Sequence, residues 1–209
     1  MSAVSKQPNF EAALRKSLPA GFDLEPELWD LIHWLEAKQQ TYWYRGTIEP
    51  FMPTVPVDGF DKLWSHLTFN LVPDLVRYWF GKEGLESVVI PFVRCGGDGS
   101  YFAIWRNGEQ SEYVFMGSEG EVFRLTDDVI KFIILITMGY PDIEGRTYLS
   151  QSPEEHFNEQ YDADWPEPLE IKNYIISKYG VSYPRTGEDI LSTDTPDIFE
   201  QFVEAVLAE

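Results

Sequence analysis

The stretch from Val88 to Met138 constrains the fold more than any other. It reads VVIPFVRCGGDGSYFAIWRNGEQSEYVFMGSEGEVFRLTDDVIKFIILITM. Four apolar runs, Val88–Val93, Tyr101–Trp105, Tyr113–Met116 and Val122–Leu125, have the length and the β-branched and aromatic content of strands. GGDG and GSEG stand where hairpin turns belong, because glycine reaches positive φ without a steric penalty. Tyr101, Ala103 and Trp105 alternate with Phe102, Ile104 and Arg106. Neither face of that run is cleanly polar, which predicts a central strand covered on both sides. After the last run, Thr126 or Asp127 is expected to cap a helix that reaches Met138. That helix is apolar around nearly its whole circumference, from Val129 through Ile136. Gly139 is placed to end it and Pro141 prevents its continuation. The segment therefore reads as an antiparallel meander closing onto one buried helix.

The flanking segments are read by the same rules. Met1–Gln7 is an expected polar tail, and Pro8–Leu18 a short helix. Leu24–Gln40 carries Leu28, Leu31, Ile32 and Leu35 at helical spacing, with Pro26 in the first turn. Tyr42, Trp43 and Tyr44 allow an aromatic platform for a sugar or a base, or a strand or loop tucked under the core. Gly46–Pro56 is proline-rich and reads as an extended linker. Leu63, Leu67, Leu71 and Leu75 recur every four residues and predict helix over Phe60–Phe80, kinked or restarted at Pro73. Pro153–Tyr161, Pro168–Lys178 and Thr193–Ala208 complete the expected helices. The last is amphipathic, with Thr195 as cap and Pro196 in its first turn, so its apolar face must dock on something.

Charge is the strongest compositional signal. The chain has 209 residues and a formal net charge of −19. From Asp142 onward, sixteen acidic residues face four basic ones (Arg146, Lys172, Lys178 and Arg185), which places −12 of the −19 there. Such a balance disfavours nucleic acid and anionic membranes, whose phosphates need Lys and Arg, and favours a basic partner. The longest apolar run, Val129–Met138, is too short to span a bilayer, and the N-terminus lacks an apolar signal core, so a cytoplasmic protein is expected.

Motifs of catalysis are missing. There is no G-x-x-x-x-G-K-[ST], H-E-x-x-H or G-x-S-x-G, and no Cys/His zinc spacing. The single cysteine, Cys95, excludes an intramolecular disulfide and reads as a buried thiol. GGDGS leads into a strand rather than a helix, so it is expected to be a turn and not a phosphate cradle. Asp162 and Asp164 lack the rest of a calcium loop. His33, His66 and His156 stand at unrelated spacings. The expectation is a non-enzyme with no metal and no cofactor.

VIPFVRCGGDGSYFAIW, YVFMGSEGEVFRL and LTDDVIKFIILITMGY together resemble the SUKH superfamily, which includes a fungal glucan-synthesis regulator and many bacterial immunity proteins. The resemblance covers roughly Leu63–Tyr140 and rests on turn glycines and core apolar residues. It implies an α+β fold, a twisted antiparallel sheet of about four to six strands with helices packed on it. Residues 1–141 then form the core with its N-terminal helices, and 142–209 an acidic, mainly helical extension packed on the same domain. The resemblance also implies a protein that neutralises a cognate toxin, often a nuclease, by direct binding. The charge adds that this partner is basic. The candidate contact residues are Tyr161, Asp162, Asp164, Trp165, Glu167 and Glu170, an acidic patch with aromatic anchors. Two other readings remain open: a regulatory or scaffolding protein without a toxin partner, and a small-molecule or glycan binder using Tyr42, Trp43, Tyr44 and Trp105.

Overall fold

The computed structural model describes residues 9–43, 50–70, 72 and 74–208. The expected polar tail, Tyr44, residues 46–49, Leu71 and Pro73 lie outside them.

The architecture is α+β. Seven antiparallel strands follow one another in chain order across a single sheet: β1 (Tyr42–Trp43), β2 (Pro50–Pro53), β3 (Thr68–Phe69), β4 (Val89–Arg94), β5 (Tyr101–Asn107), β6 (Gln110–Met116) and β7 (Val122–Thr126). Helices α1 (Phe10–Ser17), α2 (Pro26–Ala37), α3 (Leu75–Phe80), α4 (Val129–Thr137), α5 (Pro153–Gln160), α6 (Leu169–Tyr179) and α7 (Ile198–Ala208) surround it.

The pleat of β5 and β6 divides the core in two. Phe102, Ile104, Tyr113 and Phe115 point to one face, where Phe132, Ile133, Leu135 and Ile136 of α4 meet them. Leu28, Leu31, Ile32 and Leu35 of α2 and Ile171 and Ile175 of α6 complete that layer. Ala103, Trp105, Val114 and Met116 point to the other face and meet Val76 and Phe80 of α3 and Phe199 and Val203 of α7. Period-two alternation puts an apolar side chain on each face in turn, which is why these strands show no polar side. The acidic C-terminal third is therefore part of the fold: it supplies Ile143, Leu149, Ile171, Ile175 and Ile190 to one core and α7 to the other.

Several expectations need correction. Among the described residues the sheet has seven strands; β1 falls where a strand is one of the open readings, and β2 and β3 come from segments read as linker and helix. Pro50–Pro53 is not a linker: Phe51 and Met52 are buried, and β2 lies between β1 and β3. Among the described residues, Phe60–Phe80 is helical only at its ends, in a 3₁₀ turn at Phe60–Lys62 and in α3. Tertiary hydrogen bonds take the backbone in between. The amide of His66 donates to Pro141 O at 2.7 Å, and Ser65 Oγ donates to Tyr140 O at 2.8 Å. Thr68–Phe69 then pairs with β2 and β4. Four-residue leucine spacing loses to these contacts because propensity is weak beside tertiary packing. The cap of α4 is Asp128, whose carboxylate accepts from the amides of Ile130 and Lys131, and not Thr126 or Asp127. The cap of α7 is Asp197, which accepts from Phe199 and Glu200, and not Thr195.

Candidate partner-binding surface

All six candidate contact residues lie on one connection and the start of the helix after it. The α5–α6 connection holds Tyr161 to Pro168, and Glu170 opens α6. A capping box between Ser152 and Glu155 starts α5, and Tyr161 terminates it with its amide on Phe157 O at 2.9 Å. The connection is pinned to the end of α4. Trp165 Nε1 donates to Gly139 O at 3.0 Å, and Lys172 Nζ lies 4.6 Å from the Trp165 ring centroid. Gly139 has φ +97°, and a Cβ there would stand 2.7 Å from Pro168 Cδ and 3.1 Å from Trp165 Cζ2. Only glycine permits both that backbone and that approach.

Trp165 consequently packs inward and is no free anchor. Tyr161 is 39% exposed, with its ring stacked on Phe157 at 4.7 Å. Glu167 pairs with Lys172 at 2.9 Å, and Glu170 pairs with Lys38 of the α2 terminus. Asp162 and Asp164 are exposed and have no ion-pair partner among the described residues. With Asn158, Tyr161 and Ala163 they line an open hollow of about 540 Å³. Beside the connection runs a groove of about 660 Å³, whose lining includes Lys38, Val57, Trp64, Pro168, Leu169 and Glu170. Trp64 and Leu169 had not been singled out from the sequence. Trp64 sat inside an expected helix, and Leu169 stands on a helix that buries Ile171 and Ile175 but leaves Leu169 and Ile176 exposed.

Under this surface lies a buried polar cluster. Asp142 Oδ1 is 2.9 Å from His156 Nε2, and Gln160 Nε2 donates to both Asp142 oxygens at 3.1 and 3.2 Å. Tyr148 lies tilted against the His156 ring at 4.9 Å. The cluster ties α5 to the chain leaving α4. Among the described residues no group of three or more His, Cys, Asp or Glu side chains is arranged to hold a metal ion.

The two glycine turns meet at one end of the sheet. Ser100 donates through both N (2.9 Å) and Oγ (2.7 Å) to Asp98, and Ser118 Oγ of the second turn donates to the same carboxylate. Partial burial works to raise the Asp98 pKa, but the hydrogen bonds from Ser118 and Ser100 outweigh it and hold the group below its ordinary 3.8. A depressed carboxylate contributes stability above its unfolded value and loses it as pH falls through the folded one. Asp98→Asn should therefore flatten the decline in urea midpoint below about pH 4 while leaving the pH 7 to 5 region parallel to the parent. Cys95, at the start of this turn, is fully buried. Desolvation, then the nearby carboxylates of Asp98, Asp142 and Glu144, push its thiol well up, which disfavours a nucleophilic thiolate.

Of the residues named for a small-molecule or glycan site, Tyr44 lies outside the described residues, and Trp105 is not on an open face. Trp105 is 5% exposed, with Phe199 and Phe202 of α7 at 5.3 and 5.2 Å. Tyr42 sits on edge strand β1, tilted against Phe51 at 6.0 Å. Among the described residues no helix is long and apolar enough to cross a membrane. Comparison with family models, curated proteins and solved structures returns no match.

Proposed function

We propose that the chain is a non-catalytic binding protein, an immunity protein of SUKH type that neutralises a cognate, basic toxin in the cytoplasm by direct contact. The observation that carries this reading is the α5–α6 connection. It is acidic and exposed, yet fixed to the sheet-packed α4 by Trp165 and Gly139, and it leaves Asp162 and Asp164 without counter-ions among the described residues. A fixed loop loses little conformational freedom when a partner docks, so unpaired carboxylates there are well placed to steer and hold a basic surface. The meander with its glycine turns supports the resemblance from which the toxin partner is inferred. The net charge of −19 argues against nucleic acid as the partner. Direct inhibition needs no catalytic residues, which accords with the missing motifs.

Co-expression with the product of the adjacent gene tests the reading. The chain should restore growth to cells producing that protein, and Asp162→Lys with Asp164→Lys should abolish rescue while the protein remains folded. If the adjacent product is harmless, or rescue fails with the chain well expressed, the reading falls and a regulatory or scaffolding role takes its place.

A further inference from the structure

The hollow at Asp162 and the groove at Leu169 are parts of one surface. Trp64 borders the groove and meets Phe157 edge to face at 5.9 Å. Phe157 in turn stacks on Tyr161, which borders the hollow, at 4.7 Å. The two recesses are thus separated by a single buried ring. They differ in what they lack. The groove carries an unpartnered apolar side chain, Leu169, 56% exposed in a chain that buries most of its leucines. Its charges are already matched within the chain: Lys38 to Glu170, Lys62 to Asp58 at 4.0 Å, and Glu167 to Lys172. The hollow is the reverse, with an exposed tyrosine face and two carboxylates with no cation among the described residues.

Resting on the functional reading above, we infer that this paired recess receives one extended segment of a basic protein. An aliphatic side chain of that segment sits against Leu169 and Trp64, and a Lys or Arg a few residues along sits over Tyr161 between Asp162 and Asp164. Charge complementarity selects this occupant. Every lysine of the face is already neutralised, so an acidic segment would meet only uncompensated carboxylates, and a purely apolar one would leave the hollow empty. The tyrosine face adds attraction for a cation held over it.

The probe is a fluorescein-labelled peptide repeating Lys-Leu-Ser, with a Glu-Leu-Ser peptide as its counterpart, titrated by anisotropy against the full chain. The lysine peptide should bind and the glutamate peptide should not. Leu169→Ser and, separately, Asp162→Asn with Asp164→Asn should each weaken binding by about tenfold. Glu200→Gln with Glu204→Gln, removing the same charge from α7 on the other side of the sheet, should leave it unchanged. The inference is overturned if the lysine peptide does not bind, if the α7 control weakens it as much, or if Leu169→Ser has no effect. The rescue experiment separates the two claims. Peptide binding without rescue removes the toxin but keeps the recess, and rescue that survives Leu169→Ser removes the recess but keeps the toxin.

Discussion

Arg124→Ala should cost about 3–5 kcal/mol of folding stability, the range for stranding one partner of a buried ion pair. Arg124 projects from β7 to the α7 side of the sheet. Its guanidinium pairs with Glu112, which is 2% exposed, and with Asp194, lies 3.4 Å from Asp127, and donates to Ser192 Oγ at 2.9 Å. The Arg124 amide donates to Asp197 Oδ2 at 2.7 Å, and the Ser192 amide to Leu125 O at 2.6 Å. One side chain thus neutralises a buried carboxylate and fastens the chain that leads into α7 over the outer edge of the sheet. Alanine leaves the Glu112 carboxylate in an apolar layer with, among the described residues, only Asn107 Nδ2, at 3.1 Å, as a donor. In urea, the midpoint should fall with the slope unchanged. Arg124→Met combined with Glu112→Leu should recover most of the loss, because the cost lies in the uncompensated charge and not in the absence of the pair. A single-variant loss below about 1 kcal/mol would place Glu112 in contact with water and contradict its burial.

Phe132→Ala should cost a similar amount, about 3–5 kcal/mol, by a different route. Phe132 is fully buried at the centre of α4. Its ring stacks on Tyr113 at 4.1 Å and 10°, and faces Phe92 at 5.5 Å and Phe102 at 5.9 Å. It therefore joins β4, β5 and β6 to the helix, and removing it leaves a cavity lined by rigid rings with little room to collapse. Phe132→Leu should cost less than half as much, and Ile130→Ala, on the half-buried edge of the same helix, less again. Equal losses at Ile130 and Phe132 in urea titrations would mean that α4 does not seat as described.

The sequence was most informative where its signal is local. β4 to β7 and α4 could be read because alternation, strand length and turn glycines all lie within a few residues of one another. Burial of β5 on both faces could be read from the same alternation, in which neither set is polar. β2 and β3 could not, and β1 only as one of several readings of Tyr42–Tyr44. They are two to four residues long, β2 begins and ends in proline, and their pairing is decided by partners far along the chain. Leu63, Leu67 and Leu75 imitated a helix by spacing, yet only Leu75 lies in one; Leu63 and Leu67 fall in the irregular stretch between the 3₁₀ turn and β3. The α7 amphipathicity announced a docking face but not its partner, since the second face of a sheet is invisible until the first is filled. Arg124 and Glu112 did carry a signal, as charged residues within apolar strand runs, but only the pairing of β6 with β7 gives it meaning. At the candidate surface the acidic run was plain. The inward turn of Trp165 depends on Gly139, and the contribution of Trp64 and Leu169 on the packing of α5 and α6, none of which is local.

Titration calorimetry of the purified chain with the purified product of the adjacent gene tests the central claim most directly. The two proteins should form a one-to-one complex whose affinity falls as salt is raised, and which Asp162→Lys with Asp164→Lys weakens by at least about a hundredfold, roughly 2.8 kcal/mol. No heat of binding, or an affinity indifferent to both salt and those two substitutions, would contradict it.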